Sequence, residues 1–450
     1  MSSDISLNLD HLLATLHALP AARRYSVALS GGCDSTVLLH AMATLRPRLG
    51  GVSLASVHVD HGLHEDSAAW SQHCRAFAGE LGVECTVLKV NAHPSPGQSR
   101  EAAARTARYA ALANWLQPRD VLLTAHHRED QAETLLLQLL RGAGAAGLAA
   151  MPVHTALGRG VLARPLLGVS REALRVYALH YDLLWIEDPS NFDTSFDRNY
   201  LRHDILPRLR TRWPGADVNL SRAAQHQQEV AALLDALARV DVQRAQGPQP
   251  HRLRVDRLLE LDESRQRNAL RGWLRARGLP LPSTRVLRKV CTDVLHAAWD
   301  RVPRVAWQGV ELRRYRNELF AMSPLAPVDA GTTLMWRPLE AALALPHNLG
   351  ELCAHPVRGR GLRYDSCGGP LQVRFRQGGE RCRPVGAVHT RELKTLFQER
   401  GIPPWERDRM PFIYIGGTLA AVADHWICAE YAADVDKPGL LIEWRRPLSA

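Results

Sequence analysis

Apolar runs and amphipathic stretches alternate along the first half of the chain. Short apolar runs predict β-strands at Tyr25–Leu29, Ser53–Val59, Glu84–Val90 and Val121–Ala125. Between and after them, apolar residues recur at helical spacing over Ser35–Leu45, Ser67–Leu81, Arg100–Trp115 and Asp130–Leu140. Strands that alternate with helices of this length predict an α/β fold, in which helices cover both faces of a parallel sheet. Ligands of such sheets bind beyond the carboxyl ends of the strands, so that edge is the expected site.

The second half of the chain has a different pattern. A long amphipathic helix over Leu220–Val240 is followed by a second helix, Glu263–Arg277, and by a basic strand, Glu311–Arg316. A Pro-rich linker then leads to a region with its own helix, Arg391–Arg400. We therefore expect an α/β domain at residues 1–215, a linker helix at 216–247, a small and mostly helical domain at 248–325, and a small α+β domain at 331–450.

Length and composition indicate a globular protein of several domains. A chain of 450 residues is too long for one core, and 46% hydrophobic with 23% charged residues is typical of globular proteins. Because there is no apolar stretch of membrane-spanning length and no signal-peptide pattern, we expect a cytoplasmic protein without a membrane partner. The eight cysteines include no C-x-x-C pair, which favours free thiols over zinc or disulfides.

Positive charge exceeds negative charge along the chain. The 56 Lys and Arg residues outnumber the 46 Asp and Glu residues, giving a net charge of +10 that is carried mostly by arginine. Guanidinium groups match the geometry of phosphates and stack on bases. The balance therefore indicates a polyanionic partner larger than a nucleotide.

A polar, glycine-rich run lies between the first predicted strand and the first predicted helix. It consists of Ser30, Gly31, Gly32, Cys33, Asp34 and Ser35. The glycines can adopt positive φ and let backbone N–H groups approach an anion, which the N-terminus of the helix also attracts. Asp34 would instead hold Mg²⁺, which bridges phosphate oxygens, and the serines add hydroxyl donors. The run predicts a site for the pyrophosphate part of ATP, although it lacks the lysine of a Walker A loop; the alternative is a βα turn without a ligand.

Polar residues also follow the second predicted strand. His58, Asp60 and His61 stand at its carboxyl end, before Gly62. Packing against the nucleotide is the favoured interpretation, because Gly62 would permit a close approach. The alternative is a metal site formed by His58, Asp60 and His61, although neighbouring side chains of a strand point to opposite faces.

Acidic residues follow the fourth predicted strand. Asp130 and Glu133 are three residues apart, so they share one face of a first helical turn and would suit a cationic substrate. Charge complementarity at the helix N-terminus is the alternative, and it leaves the preceding pair of histidines unexplained. Further along, Arg198 and Arg202 are four residues apart and could face a phosphate or a base.

Taken in order, these runs resemble those of a known family. SGGCDS, HVDHGL, EAAARTARY, TAHHREDQAET, RGAGAAGL, RPLL and EDPSN…DRNYLR occur in the order seen in the tRNA(Ile)-lysidine synthetases (synthases), which are PP-loop enzymes of the N-type ATP pyrophosphatase superfamily. The set covers roughly residues 25–210, and weaker similarity to the long bacterial form continues to the end of the chain. The family usually has Asp where Glu129 stands, so Asp130 and Glu133 are the stronger candidates for site residues.

The resemblance implies a Rossmann-like catalytic domain and a two-step reaction. ATP adenylates the 2-oxygen of the wobble cytidine in the isoleucine tRNA with a CAU anticodon, and pyrophosphate leaves. The ε-amine of L-lysine then attacks carbon 2 and expels AMP. The product, lysidine, pairs with A instead of G, so the tRNA reads AUA instead of AUG.

The resemblance also implies a role for each candidate residue. The loop from Ser30 to Ser35 would hold ATP, with Mg²⁺ on Asp34, while His58, Asp60 and His61 would lie near the nucleotide. Asp130 and Glu133 would bind lysine, and Arg198 and Arg202 would steady the flipped cytidine. Residues 248–450 would hold the rest of the tRNA, with Arg391, Lys394 and Arg407 on phosphates. The resemblance leaves the oligomeric state undecided, with a homodimer as one option.

Two other functions are weaker hypotheses. A PP-loop tRNA thiolase would generally need paired cysteines, and the chain has no C-x-x-C. A non-catalytic RNA-binding protein with a vestigial ATP site would not need Asp34 or the acidic pair at Asp130 and Glu133.

Overall fold

The computed structural model describes residues 6–62, 66–91, 100–249, 251–367 and 369–446. The chain forms two compact units, Met1–Ala236 and Leu237–Ala450. Within the described residues, no helix combines the length and the apolar character that crossing a membrane requires.

The first unit alternates strands and helices. Its strands are β1 (Arg24–Ala28), β2 (Ser53–Asp60), β3 (Glu84–Lys89), β4 (Asp120–Leu123), β5 (His154–Leu157) and β6 (Gly160–Ala163). Its helices are α1 (Leu9–His17), α2 (Cys33–Leu45), α3 (Ser67–Glu80), α4 (Arg100–Trp115), α5 (Arg128–Leu140), α6 (Ala145–Leu148), α7 (Arg171–His180), α8 (Asp197–Tyr200) and α9 (Leu206–Arg212). A long helix, α10 (Ala216–Ala245), begins in this unit.

The strands form a single sheet with the order β3-β2-β1-β4-β6-β5. All neighbouring pairs are parallel except β5 and β6, which form an antiparallel hairpin at the edge. The predicted parallel sheet is therefore confirmed, with an added edge hairpin. The sequence pattern missed this hairpin because each strand has only four residues and β5 is mostly exposed, which leaves little hydrophobic signal.

The strand order determines where a ligand can bind. From the central strand β1, the chain builds outward on one side through β2 and β3 and on the other side through β4 and β6. The carboxyl ends of β1 and β4 therefore flank the point where the strand order reverses, and a crevice forms there in sheets of this kind. The loop from Ser30 to Ser35 follows β1, and the histidines and acids follow β4.

The second unit contains small antiparallel sheets. Its strands are β7 (Leu253–Arg254), β8 (Arg304–Trp307), β9 (Val310–Tyr315), β10 (Glu318–Met322), β11 (Thr333–Trp336), β12 (Leu343–Ala344), β13 (Glu351–Arg358), β14 (Leu362–Arg363), β15 (Leu371–Arg374), β16 (Arg381–Cys382), β17 (Arg391–Glu392), β18 (Phe412–Ile415), β19 (Thr418–Val422), β20 (Trp426–Ile427) and β21 (Pro438–Arg445). Its helices are α11 (Val255–Leu259), α12 (Glu263–Ala276), α13 (Thr284–Lys289), α14 (Leu393–Glu399) and α15 (Pro404–Arg407).

The region expected to be mostly helical carries a sheet as well. Helices α11 to α13 accompany a sheet with the order β7-β10-β9-β8, of which the sequence pattern predicted only β9. The other strands span two to five residues, too few for a clear alternation of apolar and polar positions. After it, sheets of order β11-β15-β18-β19-β20, β12-β13-β21-β14 and β16-β17 form the predicted α+β region with α14 and α15. Within the described residues, no disulfide joins any two of the eight cysteines.

Candidate active site

The loop after β1 is preorganised by its own hydroxyl groups. The Oγ atoms of Ser30 and Ser35 lie 3.0 Å apart, and the Ser30 backbone N–H donates to Ser35 Oγ at 3.1 Å. The Ser35 hydroxyl also donates to the carbonyl of Gly32 at 3.0 Å. Gly32 precedes the first turn of α2, and no side chain in the described part of the chain caps that turn. Its N–H groups are therefore available to an anion.

Gly31 adopts a conformation that only glycine accepts readily. Its φ is +87°, and a Cβ would lie 3.2 Å from both Cys74 Sγ and Ile186 Cδ1. The backbone N–H of Ile186 also donates to the Gly31 carbonyl at 2.8 Å. Cys74 and Ile186 therefore hold Gly31 in place, and this fixes the direction of the backbone N–H groups at the start of α2.

We expect Gly31→Ala to weaken ATP binding roughly five- to thirtyfold, because a positive φ costs an L-residue about 1–2 kcal/mol and the loop can relieve that strain only by moving. Equilibrium binding of ATP measures the effect. Gly50→Ala is the matched control, since Gly50 has φ +64° and open space around its Cβ position, away from the loop. An equal loss of ATP affinity in both variants would contradict the assigned role of Gly31.

Of the polar residues at the carboxyl end of β2, His58 supports this loop. His58 is buried, and its Nδ1 lies 2.8 Å from the Leu29 carbonyl and 3.4 Å from Cys74 Sγ, so it braces the chain where the loop begins. Asp60 accepts a hydrogen bond from the Gly62 backbone N–H at 2.9 Å. Burial, with help from Arg108, lowers the pKa of His61. Across the described residues, no cluster of metal-ligating side chains supports the metal alternative.

His127 connects the acids of α5 with the loop. Its Nδ1 lies 2.9 Å from Glu129 Oε2, while its Nε2 lies 3.4 Å from Asp130 Oδ2 and 3.7 Å from Asp34 Oδ2. The Asp130 carboxylate also accepts from the His127 backbone N–H at 3.0 Å, which caps α5. Burial alone would lower the pKa of His127, but the surrounding carboxylates, Asp130 first, outweigh it and raise the pKa.

Asp34 stands on the first turn of α2 with about one third of its side chain exposed. Burial raises the pKa of its carboxyl group; His127 opposes that effect and Asp130 adds to it. A partly buried carboxylate beside a second carboxylate favours a cation between them and the substrate. One carboxylate together with substrate phosphates is a common ligand set for Mg²⁺, so these residues fit that ion.

Glu133 is completely buried and is held by two arginines. Arg198 Nε donates to one carboxylate oxygen at 2.7 Å, and Arg202 Nε donates to the other at 2.7 Å. Both guanidinium groups also donate hydrogen bonds to Asp130 Oδ1, from Arg198 Nη2 at 3.3 Å and from Arg202 Nη2 at 3.0 Å. We call these four side chains the acid–arginine network.

The structure brings together the sequence-predicted residues Asp34, Asp130, Glu133, Arg198 and Arg202. Their contacts differ from the expected ones. The oxygens of Glu133 are engaged by guanidinium groups and the side chain is 1% exposed, so an incoming amine would have to displace an arginine to reach it. Both oxygens of Glu133 are therefore occupied by the guanidinium groups of Arg198 and Arg202.

Sequence reasoning gave no role to His127 or Glu129. Besides His127, Glu129 Oε2 accepts from the Arg171 backbone N–H at 3.0 Å, which ties α5 to the start of α7. The neighbouring His126 has Nδ1 2.9 Å from Thr124 Oγ1, and burial lowers its pKa to about 3. The available signal was the histidine pair itself, which helix charge complementarity did not explain.

The fold and the loop define a PP-loop protein: the model of the PP-loop domain family matches residues 1–209. Models described as the TilS substrate binding domain and the TilS substrate C-terminal domain match residues 253–320 and 371–444. A tRNA(Ile)-lysidine synthase of Methylococcus capsulatus is 44% identical over 441 residues, covering 97% of this chain and 99% of that protein. Those of Coxiella burnetii (41% identical, 97% of each chain) and Alkalilimnicola ehrlichii (43%, covering 98% of this chain and 97% of that protein) are also similar.

The chain belongs to the tRNA(Ile)-lysidine synthase family. This confirms the resemblance, the fold class and the expectation of an ATP-using enzyme of tRNA modification.

Proposed function

We propose that this protein activates the wobble cytidine of the CAU-anticodon isoleucine tRNA with ATP and joins it to L-lysine, forming lysidine in the cytoplasm. One observation carries the assignment of the site. The loop at the carboxyl end of β1 is connected, through His127, to the acid–arginine network beyond β4. A phosphate-binding loop and a charged substrate site therefore meet at the point where the strand order reverses.

In the first step, the loop binds the phosphates of ATP. Backbone N–H groups at the start of α2 and the hydroxyl groups of Ser30 and Ser35 would donate to phosphate oxygens. Mg²⁺ held by Asp34 would neutralise the charge that develops on the leaving pyrophosphate. Because His58 braces the loop from behind, these donors are fixed before the reaction.

In the second step, the acid–arginine network orients the cytidine and lysine. The bonds to Asp130 and Glu133 use Nε and Nη2 of Arg198 and Arg202, which leaves the Nη1 groups to hold the base or its activated oxygen. We expect the carboxylate of Asp130, which also lies against His127, to attract the ammonium group of lysine.

The thiolase alternative finds little support at the loop cysteine. Cys33 lies on the first turn of α2, where a helix N-terminus would favour a thiolate. Burial and the neighbouring Asp34 instead raise the pKa of Cys33 to about 11. The thiol is therefore protonated at neutral pH and is a poor nucleophile.

We propose that residues 248–450 hold the body of the tRNA, consistent with the two substrate-domain models that match there. The expected phosphate contact of Arg407 does not agree with its surroundings: its side chain is buried and donates to the Ile402 carbonyl at 2.8 Å and to the Tyr315 hydroxyl at 3.0 Å. Arg391 is paired with Glu399. Lys394 is exposed on α14 and stays the candidate of the three for a phosphate contact.

An ATP–pyrophosphate exchange assay tests this function against the RNA-binding alternative. We expect exchange only when a tRNA transcript with a CAU anticodon is present, because adenylation of the cytidine releases pyrophosphate reversibly. A matched transcript with uridine at the wobble position serves as the control and should give none. Binding of the transcript without exchange, by protein that also binds ATP, would support the non-catalytic alternative instead.

A further inference from the structure

An exposed aromatic surface lies in the chain segment that also carries Arg198 and Arg202. Phe192 is 65% exposed and Tyr200 is 49% exposed. The Phe192 ring stacks on His203, with a centroid distance of 5.6 Å and an interplanar angle of 25°. Tyr200 and His203 are three residues apart on one helical segment, so they share a face. We call Phe192, Tyr200 and His203 the aromatic shelf.

The shelf is held in place by specific hydrogen bonds. Asn199 Nδ2 donates to the carbonyls of Ser190 and Asp193, both at 2.9 Å, which closes the loop that carries Phe192. His203 Nε2 lies 2.9 Å from the Asn191 carbonyl, so the ring beneath Phe192 is also fixed. A single exposed apolar side chain needs no explanation. A stacked ring on a braced loop is a preorganised surface.

The shelf and the acid–arginine network are built on consecutive residues. Residues Leu201–Ile205 form a π-helical turn directly after α8, a feature that is frequent at functional sites. Within that turn, Arg202 bonds to Asp130 and Glu133, and the next residue, His203, supports Phe192. Consecutive residues have Cα atoms about 3.8 Å apart, so a polynucleotide with one base held by Arg202 extends within reach of the shelf.

We propose that Phe192 is a stacking platform for an unpaired anticodon base next to the wobble cytidine, an inference that rests on the proposed function. When the cytidine leaves its stack to react, its neighbour loses a stacking partner. An exposed aromatic ring replaces that partner without regard to base identity, because every base has a π-face. Phe192 would thus fix the position of the anticodon while the arginines hold the reacting base.

The test compares variants of Phe192 that distinguish the effect of an aromatic ring from the effect of an apolar side chain of similar size. Phe192→Ala should raise the KM for tRNA about tenfold, with the KM values for ATP and lysine unchanged, while Phe192→Trp and Phe192→Tyr should stay near wild type. Phe192→Leu keeps an apolar side chain without a ring and should resemble Phe192→Ala. Leu184→Ala is the matched control, because Leu184 is 77% exposed in the same unit.

A binding experiment reads the contact directly. A CAU anticodon stem-loop with 2-aminopurine in place of its adenine should lose fluorescence on binding wild-type protein and lose much less on binding Phe192→Ala or Phe192→Leu. Equal quenching by all variants, a Phe192→Leu variant with wild-type KM for tRNA, or an equal KM change in Leu184→Ala would overturn the platform. Failure of the wild type to incorporate lysine would instead contradict the proposed function, and the binding experiment does not depend on catalysis.

Discussion

Asp34→Asn is expected to reduce pyrophosphate release by at least about a hundredfold while tRNA binding stays nearly unchanged. The substitution keeps the shape of the side chain and removes the charge that would hold Mg²⁺ at the phosphates. Asp34 contacts His127 and stands at the loop, so its loss should not affect the parts of the protein proposed to hold the tRNA body. Pyrophosphate release under single-turnover conditions and equilibrium tRNA binding measure the two effects.

Stability separates a catalytic role for Asp34 from a structural one. Burial raises the pKa of Asp34, so its ionised form costs the folded state free energy at neutral pH, above the ordinary pKa of the group. The amide removes that cost, and Asp34→Asn should melt no lower than wild type when Mg²⁺ is absent. Asp10→Asn, a change at a largely exposed carboxylate that pairs with Arg48, is the control. Wild-type pyrophosphate release by a folded Asp34→Asn protein would remove Asp34 from its assigned role.

Glu133→Gln is expected to lower the free energy of unfolding of the catalytic unit by about 3 kcal/mol and to lower kcat strongly. The buried carboxylate accepts hydrogen bonds from both Arg198 and Arg202, and an amide would set its N–H₂ group against one of these donors. Both guanidinium groups would then lose their fixed orientation. Thermal or denaturant melting and steady-state kinetics with ATP, lysine and tRNA measure the result.

The kinetic pattern of Glu133→Gln distinguishes positioning from direct binding of lysine. A positioning role predicts a fall in kcat with no selective rise in the KM for lysine. Direct contact with the ammonium group would instead raise the KM for lysine alone, roughly ten- to a hundredfold, with little loss of stability. Glu172→Gln, at an exposed site on α7, controls for the loss of a carboxylate elsewhere in the unit.

The sequence predicted the central part of the fold well because its signals are local. Strands β1 to β4 and helices α2 to α5 begin and end within two residues of the predicted bounds. The hairpin of β5 and β6, and the strands β7, β8 and β10 around β9, were missed because each of these strands spans only two to five residues. Such short runs leave no clear alternation of apolar and polar positions.

In the candidate site too, features formed by consecutive residues were predicted, whereas contacts between residues far apart in the sequence were missed. The loop residues were identified because strand, glycines and helix start are consecutive in sequence. The partners of Glu133 were not identified, because Arg198 is 65 positions away in the chain. The sequence alone does not show that the carboxylate oxygens of Glu133 already accept hydrogen bonds from arginines. The burial of Arg407 was likewise invisible, since its hydroxyl partner, Tyr315, is 92 positions earlier. Contacts with residues distant in sequence bury side chains such as Glu133 and Arg407, which the sequence alone suggested would contact a ligand.

The most direct test of the central claim is incorporation of carbon-14-labelled lysine into tRNA transcripts by the purified full-length protein. The account predicts label in the transcript of isoleucine tRNA with a CAU anticodon, dependent on ATP and accompanied by one AMP for each lysine. Nuclease digestion should place the label on the wobble nucleoside. ATP consumption with this transcript but without lysine transfer, or transfer of label to a transcript with uridine at the wobble position, would contradict the account.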